Sequence, residues 1–245
     1  DSSAMGAFIS GMFGEVQNRI ELAMENLSID CVNNYMAEMI KRKTQRPSRV
    51  INLVTDYNAY YGLSGDRVLK PEDALKDSYF LSYVVRRINT ISSTMEYMTA
   101  GMYNDTAYAG GDTQNGIYSR HTPKSEQRLM LYIDLVNSLK TDINSKAFNM
   151  KEVAIDIPFQ TVPFWQSLNT PDGINIQPAS GGSAISQTGV MGILFDREAM
   201  GTFKNKYSSL TSPINAAGKY YNVFYHMITM YYNDLTENAV VFLLA

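Results

Sequence analysis

A cysteine nucleophile needs a histidine to take its proton, and this 245-residue chain offers one cysteine, Cys31, and two histidines, His121 and His226. Cys31 falls on an apolar spacing of three and four residues, which reads as a small core residue. His226 stands in the middle of an aromatic, β-branched run and reads as structural. His121 precedes Thr122-Pro123 in a turn-rich segment and reads as solvated. One cysteine and two separated histidines make no zinc cluster. Asn104-Asp105 with Asp112 could hold a hard cation through oxygen, but a calcium loop also needs the terminal Glu at its fixed spacing, and that is absent. The two glycine pairs, Gly110-Gly111-Asp112 and Gly181-Gly182-Ser183, lack the Gly-Lys-Ser/Thr and Gly-x-Gly-x-x-Gly patterns that cradle phosphate. Residues 189–192 hold no Ser for a nucleophile elbow. The carboxylate pairs Asp196/Glu198 and Asp234/Glu237 stand at turns or a helix start and read as caps and solvated faces. No catalytic, cofactor-binding or metal-ligating set is assigned, no cofactor is implied, and the chain does not read as an enzyme.

The densest basic cluster is Lys41-Arg42-Lys43 with Arg46 and Arg49. With 21 basic residues against 24 acidic ones, for a net charge of -3, it reads as a solvated helix end or a partner for acidic residues on a neighbour, not as a phosphate track. A single cysteine excludes an intrachain disulfide. No apolar run reaches the roughly 18 to 20 residues that a membrane span needs. The unusual entries are 17 Tyr and 14 Met, types enriched in protein–protein contacts and equally at home in ordinary cores.

The elements that would position these residues begin with a long helix. Over residues 4–43, Ile9, Phe13, Val16, Ile20, Met24, Leu27, Cys31, Tyr35 and Met39 recur at steps of three or four. Basic residues close the run, and Pro47 blocks continuation. Such a helix would be roughly 55 to 60 Å long, more than a compact domain of this size encloses. A break near 26–30 would instead split it into two ordinary helices. Residues 49–57 read as a strand that joins a carboxy-terminal hairpin. Pro71 opens a second helical region whose stripe is Leu81, Val84, Val85, Ile88, Ile91, Met95 and Met98. Residues 101–123 are rich in Gly, Asn, Asp and Thr and read as a long exposed loop, a kind that is often functional. Residues 128–136 read as strand, followed by helix through 139–148, and 153–157 as a short strand. Residues 158–187 carry four prolines and read as loop, pinned by Trp165, the sole tryptophan.

The chain is organised around residues 188–244. Gly189-Val-Met-Gly-Ile-Leu-Phe-Asp-Arg-Glu-Ala-Met-Gly201 passes from an apolar strand into a short helix at Asp196. After a loop holding Pro213, Asn215 and Gly218, residues 219–232 are aromatic and β-branched without Gly or Pro, which is strand composition. Both alternating sets of that run are apolar, so both faces are expected to be covered, within the subunit or by a neighbour. Residues 233–238 supply turn chemistry, and 239–244 return as a second strand.

This ordered series, ending in Tyr231-Tyr-Asn-Asp-Leu-Thr-Glu-Asn-Ala-Val-Val-Phe242, resembles the carboxy-terminal part of major capsid proteins of tailed bacteriophages, and small podophage-type capsid proteins in particular. The likeness is strongest over the last quarter of the chain. It implies an α+β chain with the Hong Kong 97-like capsid fold: a long spine helix, a peripheral β-hairpin and an inserted axial domain. The peripheral domain would take residues 1–57 (spine helix and strand) and 202–245 (long β-hairpin), and the axial domain 58–201. In that family an amino-terminal arm and an extended loop precede the spine helix, so both are expected to be missing from this sequence, which opens at Asp1 already in helical pattern. Nothing here matches the positions of the lysine–asparagine cross-link that some members form.

The function implied is structural. Copies would self-assemble into pentamers and hexamers of an icosahedral head around double-stranded DNA, bound without sequence specificity, and would reside in the virion capsid after assembly in the host cytoplasm. Scaffolding, portal or decoration proteins would be its partners, and no membrane is involved. Tyr220, Tyr221, Phe224 and Tyr225 would form the body of the peripheral lobe, and the 101–123 loop would meet ring neighbours or the axis. An encapsulin-like protein container with the same fold, and an α/β enzyme with a site in the 101–123 loop, are the alternatives.

Overall fold

The computed structural model describes residues 2–97, 99–100, 102–105, 119–146, 155–205, 208–211, 213, 215–218, 220, 223–226 and 228–244. They belong to two compact units: a smaller one of Asp1–Cys31 and Gly201–Tyr232, and a larger one of Val32–Met200 and Asn233–Ala245. Ile20 and Phe224, an early helical residue and a late strand residue, fall in the same smaller unit.

Helix α1 runs unbroken over Ser2–Lys41, so the split near 26–30 does not occur. Its last turns belong to the larger unit, where Tyr35, Met36 and Met39 are buried beside the polar Asn33, Asn34 and Glu38. A 3-10 turn at Pro47–Arg49 leads into β1, Val50–Asn52. The strand expected over 49–57 stops there because Asn52 caps a helix, its side-chain oxygen accepting from the amides of Val54 and Thr55 at 3.1 and 3.2 Å. Helix α2, Leu53–Tyr60, follows. Beyond the one-turn α3, Pro71–Ala74, comes α4, Ser78–Met95, capped by Asp77 through the Phe80 amide at 2.9 Å. Its buried face is the expected stripe from Leu81 to Met95, joined by Phe80 and Tyr83. Met98 lies outside the described residues.

The short strands β2 (Thr99–Ala100) and β3 (Ser119–Arg120) pair antiparallel and bracket residues 106–118, which lie outside the description. The ends of the segment are mixed: Tyr103, Asn104, Asp105 and Thr122 are buried, while Met102, His121 and Pro123 are exposed. Strand β4 (Gln127–Tyr132) passes directly into α5 (Ile133–Lys146), the expected strand-then-helix order, except that residues 133–136, expected as strand, already belong to the helix. Of the strand expected at 153–157, residues 153–154 lie outside the described residues and 155–157 are not strand; β5 is Phe159–Val162 and pairs parallel with β4. Within the Pro-rich stretch, β6 (Ile174–Ile176) and β7 (Ile185–Gln187) form a small antiparallel pair.

Strand β8, Val190–Asp196, is buried at every position. No helix follows it: Asp196 is the buried last residue of the strand, its side chain accepts from the Glu198 amide at 2.9 Å, and residues 197–199 turn directly into β9, Met200–Lys204. Three residues are too few to nucleate a helix against such a turn. Next come β10 (Ser208–Thr211), β11 (Val223–His226), β12 (Thr229–Asn233) and β13 (Ala239–Leu243).

The sheet of the larger unit has the order β1-β13-β8-β4-β5. β13 pairs parallel with β1, Val50 opposite Val241, and antiparallel with β8, Val241 opposite Ile193. Both central strands are buried throughout, which is why their sequences are continuous apolar runs and not alternating ones. The long aromatic strand and its return as a hairpin are corrected here. Residues 219–232 do not make one strand: β11 pairs with β10, and β12 with β9. The partner of the aromatic segment therefore precedes it, at 200–211, while 239–243 join the core sheet. The change of partner comes at Ile228, whose carbonyl accepts from the Asn205 amide at 2.9 Å.

Candidate assembly surfaces and their buried anchors

Arg49, read from sequence as one of a basic cluster, is 2 % exposed. Its guanidinium donates to the carbonyls of Leu235 (3.0 Å), Ala239 (3.3 Å) and Glu237 (3.4 Å) and to the Tyr35 hydroxyl (3.2 Å). The five-donor fork thus ties the turn before β13 to α1. Burial pushes the Tyr35 phenol up to about 12, against the opposing pull of Arg49. The signal in the sequence was weak: Arg49 adjoins the apolar Val50-Ile51, and a basic residue at the mouth of a buried strand is the one detail that sets it apart from Lys41 and Lys43.

Arg42 and Arg46 meet Asp105, whose carboxylate is fully buried; the Arg46 contact is 3.3 Å. Burial alone would raise the Asp105 carboxyl, but the hydrogen bonds and charges of Arg42 and Arg46 outweigh it and hold it below the ordinary value. The acid that sequence reading offered as a cation ligand is therefore neutralised inside the chain, and the basic cluster finds its acidic partner there too. Lys41 also turns inward along the surface, donating to Ser180 Oγ at 2.7 Å and the Gly181 carbonyl at 2.6 Å. Ser180 in turn donates to Glu38. Gly181 and Gly182 adopt positive φ, 82° and 99°, so this glycine pair serves a turn.

A second buried network joins the sheet to α4. Thr122 donates to Asp196 at 2.6 Å, Asn238 to Thr122 at 3.1 Å, and Gln127 to the carbonyls of Thr122 and Ser92. Nearby, Glu237 pairs with Arg120 at 3.0 Å. Burial raises its carboxyl, and Arg120 only partly offsets that. The carboxylates at 196 and 237 are thus inner structural groups, and the reading of them as solvated is corrected. Trp165 is buried, donates from Nε1 to the Val190 carbonyl at 2.7 Å, and accepts from Asn33 at its own carbonyl at 2.7 Å, as expected of a pin for its loop.

The groups of the nucleophile question form no described contact with one another. Cys31 belongs to the smaller unit, where its thiol faces the carbonyls of Gly201 and Tyr232 at 3.8 and 3.7 Å, and burial pushes it up to about 11. That favours the protonated, unreactive form. His121 is exposed in the larger unit, and the His226 side chain lies outside the described ones. Among the described residues no group of three His, Cys, Asp or Glu could hold a metal ion, and no helix is long and apolar enough to cross a membrane. A depression bordered by Met102 and Tyr103 is also lined by Lys43, Asn52, Asp56 and Arg87. Asp56 is already engaged there by the Tyr83 hydroxyl and Arg87, each at 2.7 Å.

What the chain does present is apolar surface. In the larger unit, Tyr60 and Tyr61 of the α2 end are half exposed beside Tyr83, and Arg86 lies 4.2 Å above the Tyr60 ring. In the smaller unit, Phe203, Tyr220, Phe224, Ile228, Met230 and Tyr232 are each 50 % exposed or more. Of the four residues expected to form the body of the peripheral lobe, Tyr220 and Phe224 are thus on the surface, and the Tyr221 and Tyr225 side chains lie outside the described ones. The described side chains of the aromatic run are largely uncovered within the chain. An isolated two-stranded ribbon has no second layer to cover it.

Among solved structures, a chain from the "Capsid structure of Staphylococcus phage Andhra" is similar to this one, with a TM-score of 0.57 at 11% identity over 98% of this chain and 65% of that chain. At that identity the likeness is one of fold, and this chain spans 65% of the length of that relative. No curated protein matches. The sequence model of the family described as Phi29-like phage major capsid protein matches residues 1–243, essentially the whole chain, and the chain belongs to that family.

Proposed function

We propose that this chain is a subunit of Hong Kong 97-like fold that tiles an icosahedral phage head in pentamers and hexamers, enclosing double-stranded DNA without reading its sequence. Family and fold point to a structural, non-enzymatic protein of the virion capsid. The observation that carries the finer reading is the family match over residues 1–243. The exposed aromatic surface supports it, since a shell subunit leaves apolar faces for its neighbours.

In this reading residues 1–57 and 202–245 act as the peripheral domain and 58–201 as the axial domain. The 101–123 segment meets neighbours within a ring. Scaffolding, portal and decoration proteins are the further partners, and assembly takes place in the host cytoplasm. The mechanism is physical: the central sheet and its buried Arg49 and Asp105 anchors stay rigid, while loops and exposed ribbons adapt so that one sequence fits both ring types. Electron microscopy of purified particles tests it. Rings or icosahedral shells with DNA inside support it; protein cargo in place of DNA would redirect it to a container shell.

A further inference from the structure

The smaller unit has the composition of an interface and not of a domain. Eleven of the nineteen large hydrophobic residues that the described chain exposes belong to it, and among its described side chains Cys31 alone is a buried hydrophobic. Its strands form two separate two-stranded pairs, β10 with β11 and β9 with β12. Such pairs are marginal in water without a hydrophobic face packed on something else, and their open edges are free to add a further strand.

Charge divides the same unit in two. Residues 201–232 carry Lys204, Lys206, Lys219 and His226 and no carboxylate side chain. Residues 2–31 carry Glu15, Glu21, Glu25 and Asp30 against Arg19. Arg19 is taken up by Glu15 on the same helix at 3.0 Å. Glu21, Glu25 and Lys204 are exposed and form no ion pair among the described residues. The helical face is also apolar: Phe8, Met12 and Leu22 are each more than half exposed. A basic aromatic ribbon and an acidic apolar helix face on one chain are complementary to each other, and the described apolar side chains of both are largely uncovered.

From this we infer that the ribbon of one copy, through Phe203, Phe224, Ile228 and Met230, packs onto the amino-terminal half of α1 in a neighbouring copy, and that this contact supplies the core the smaller unit lacks. Half-exposed aromatic and aliphatic side chains in this number amount to on the order of 1,000 Å² of surface to cover, the scale of a specific interface. Because different faces of the two copies meet, the contact is head-to-tail and propagates around a ring or across a shell. It rests on the shell-subunit reading above and adds to it which surfaces join, and that the smaller unit becomes ordered on assembly.

The test uses the full chain with Phe224 replaced by the photoreactive p-benzoylphenylalanine, assembled from a mixture of ¹⁵N-labelled and unlabelled copies and irradiated. Adducts of mixed isotope content that join position 224 to residues 2–31 are expected. Particles that give adducts only within one chain, to another region or to a different protein, or none, overturn this contact while leaving the shell reading in place. Failure of the unsubstituted chain to form particles contradicts the shell reading itself and the contact with it. A second measurement needs no substitution: hydrogen exchange of the native chain, as separated subunits and as particles. Amides of 201–232 should slow by about ten-fold or more on assembly while those of β8 and β13 change little; equal protection of the ribbon in separated subunits would refute coupled ordering.

Discussion

Arg49 sets its Nη2 3.2 Å from the phenolic oxygen of Tyr35, and both side chains are buried, so a full positive charge is held in the interior by a hydroxyl and three carbonyls. Arg49→Ala would remove one donor from each of the four acceptors; the Leu235 carbonyl would keep the Asp105 amide, and Tyr35 its bond to the Asp234 carbonyl. Hydrogen bonds to a charged group contribute about 1.5–3 kcal/mol each, so the loss should be at least about 3 kcal/mol in denaturant unfolding of the separated subunit. Arg49→Lys should recover little, because one ammonium cannot span the four partners. A loss below about 1 kcal/mol for the alanine variant, within the range of ordinary surface changes, would show that the fork is not an anchor.

Asp105 gives the fold an acid limit. Its folded carboxyl lies below the ordinary value of 3.8, so its stabilising effect is present above that value and disappears as pH falls through the folded one. Asp105→Asn should cost about 1.5–3 kcal/mol at neutral pH, the range for hydrogen bonds to charged groups. The penalty should shrink toward zero as pH falls below 3.8. Urea midpoints across pH 2–7, spanning roughly the carboxylate range, check this; a penalty independent of pH would contradict it.

Two glycines should respond in opposite directions. A methyl at Gly192 would lie 2.6 Å from the Met130 carbonyl oxygen and 2.7 Å from a Leu131 methyl, across the β4–β8 ladder. Gly192→Ala should therefore destabilise by about 1–3 kcal/mol. Gly11, inside α1, has nothing within 4 Å of the same point, and Gly11→Ala should stabilise the helix by about 0.5–1 kcal/mol. Thermal melts of both variants read this directly.

Trp165 separates packing from hydrogen bonding. Trp165→Ala should cost about 3–5 kcal/mol. Trp165→Phe keeps most of the area but leaves the Val190 carbonyl without its 2.7 Å donor, a loss of about 1–2 kcal/mol. Near-equal losses for the two variants would mean that the indole nitrogen, not the ring, does the pinning.

Much of the fold was legible because its signals are periodic. The spacing from Phe13 to Met39 marks α1, the stripe from Leu81 to Met95 marks α4, and the unbroken apolar runs at 190–195 and 239–243 announce strands. Pairing was not legible, since register and partner depend on contacts between distant segments. Residues 219–232 look like one strand, yet they split between two partners, and 239–243 leave for the core sheet. Short caps were missed for a related reason: one side chain, Asn52 or Asp196, ends an element that composition alone would extend. At the candidate surface, the aromatic run itself was visible. Whether its partner lay in the same chain or in another was not, and neither was the burial of Arg49 and Asp105, because charge type says nothing of depth.

Cryo-electron microscopy of particles assembled from the full-length protein tests the shell reading most directly. The account predicts closed shells in which every ring position holds a copy with the β1-β13-β8-β4-β5 sheet and in which residues 201–232 lie against another copy. Sedimentation showing only monomers at high protein concentration, with no rings or shells in the micrographs, would contradict it.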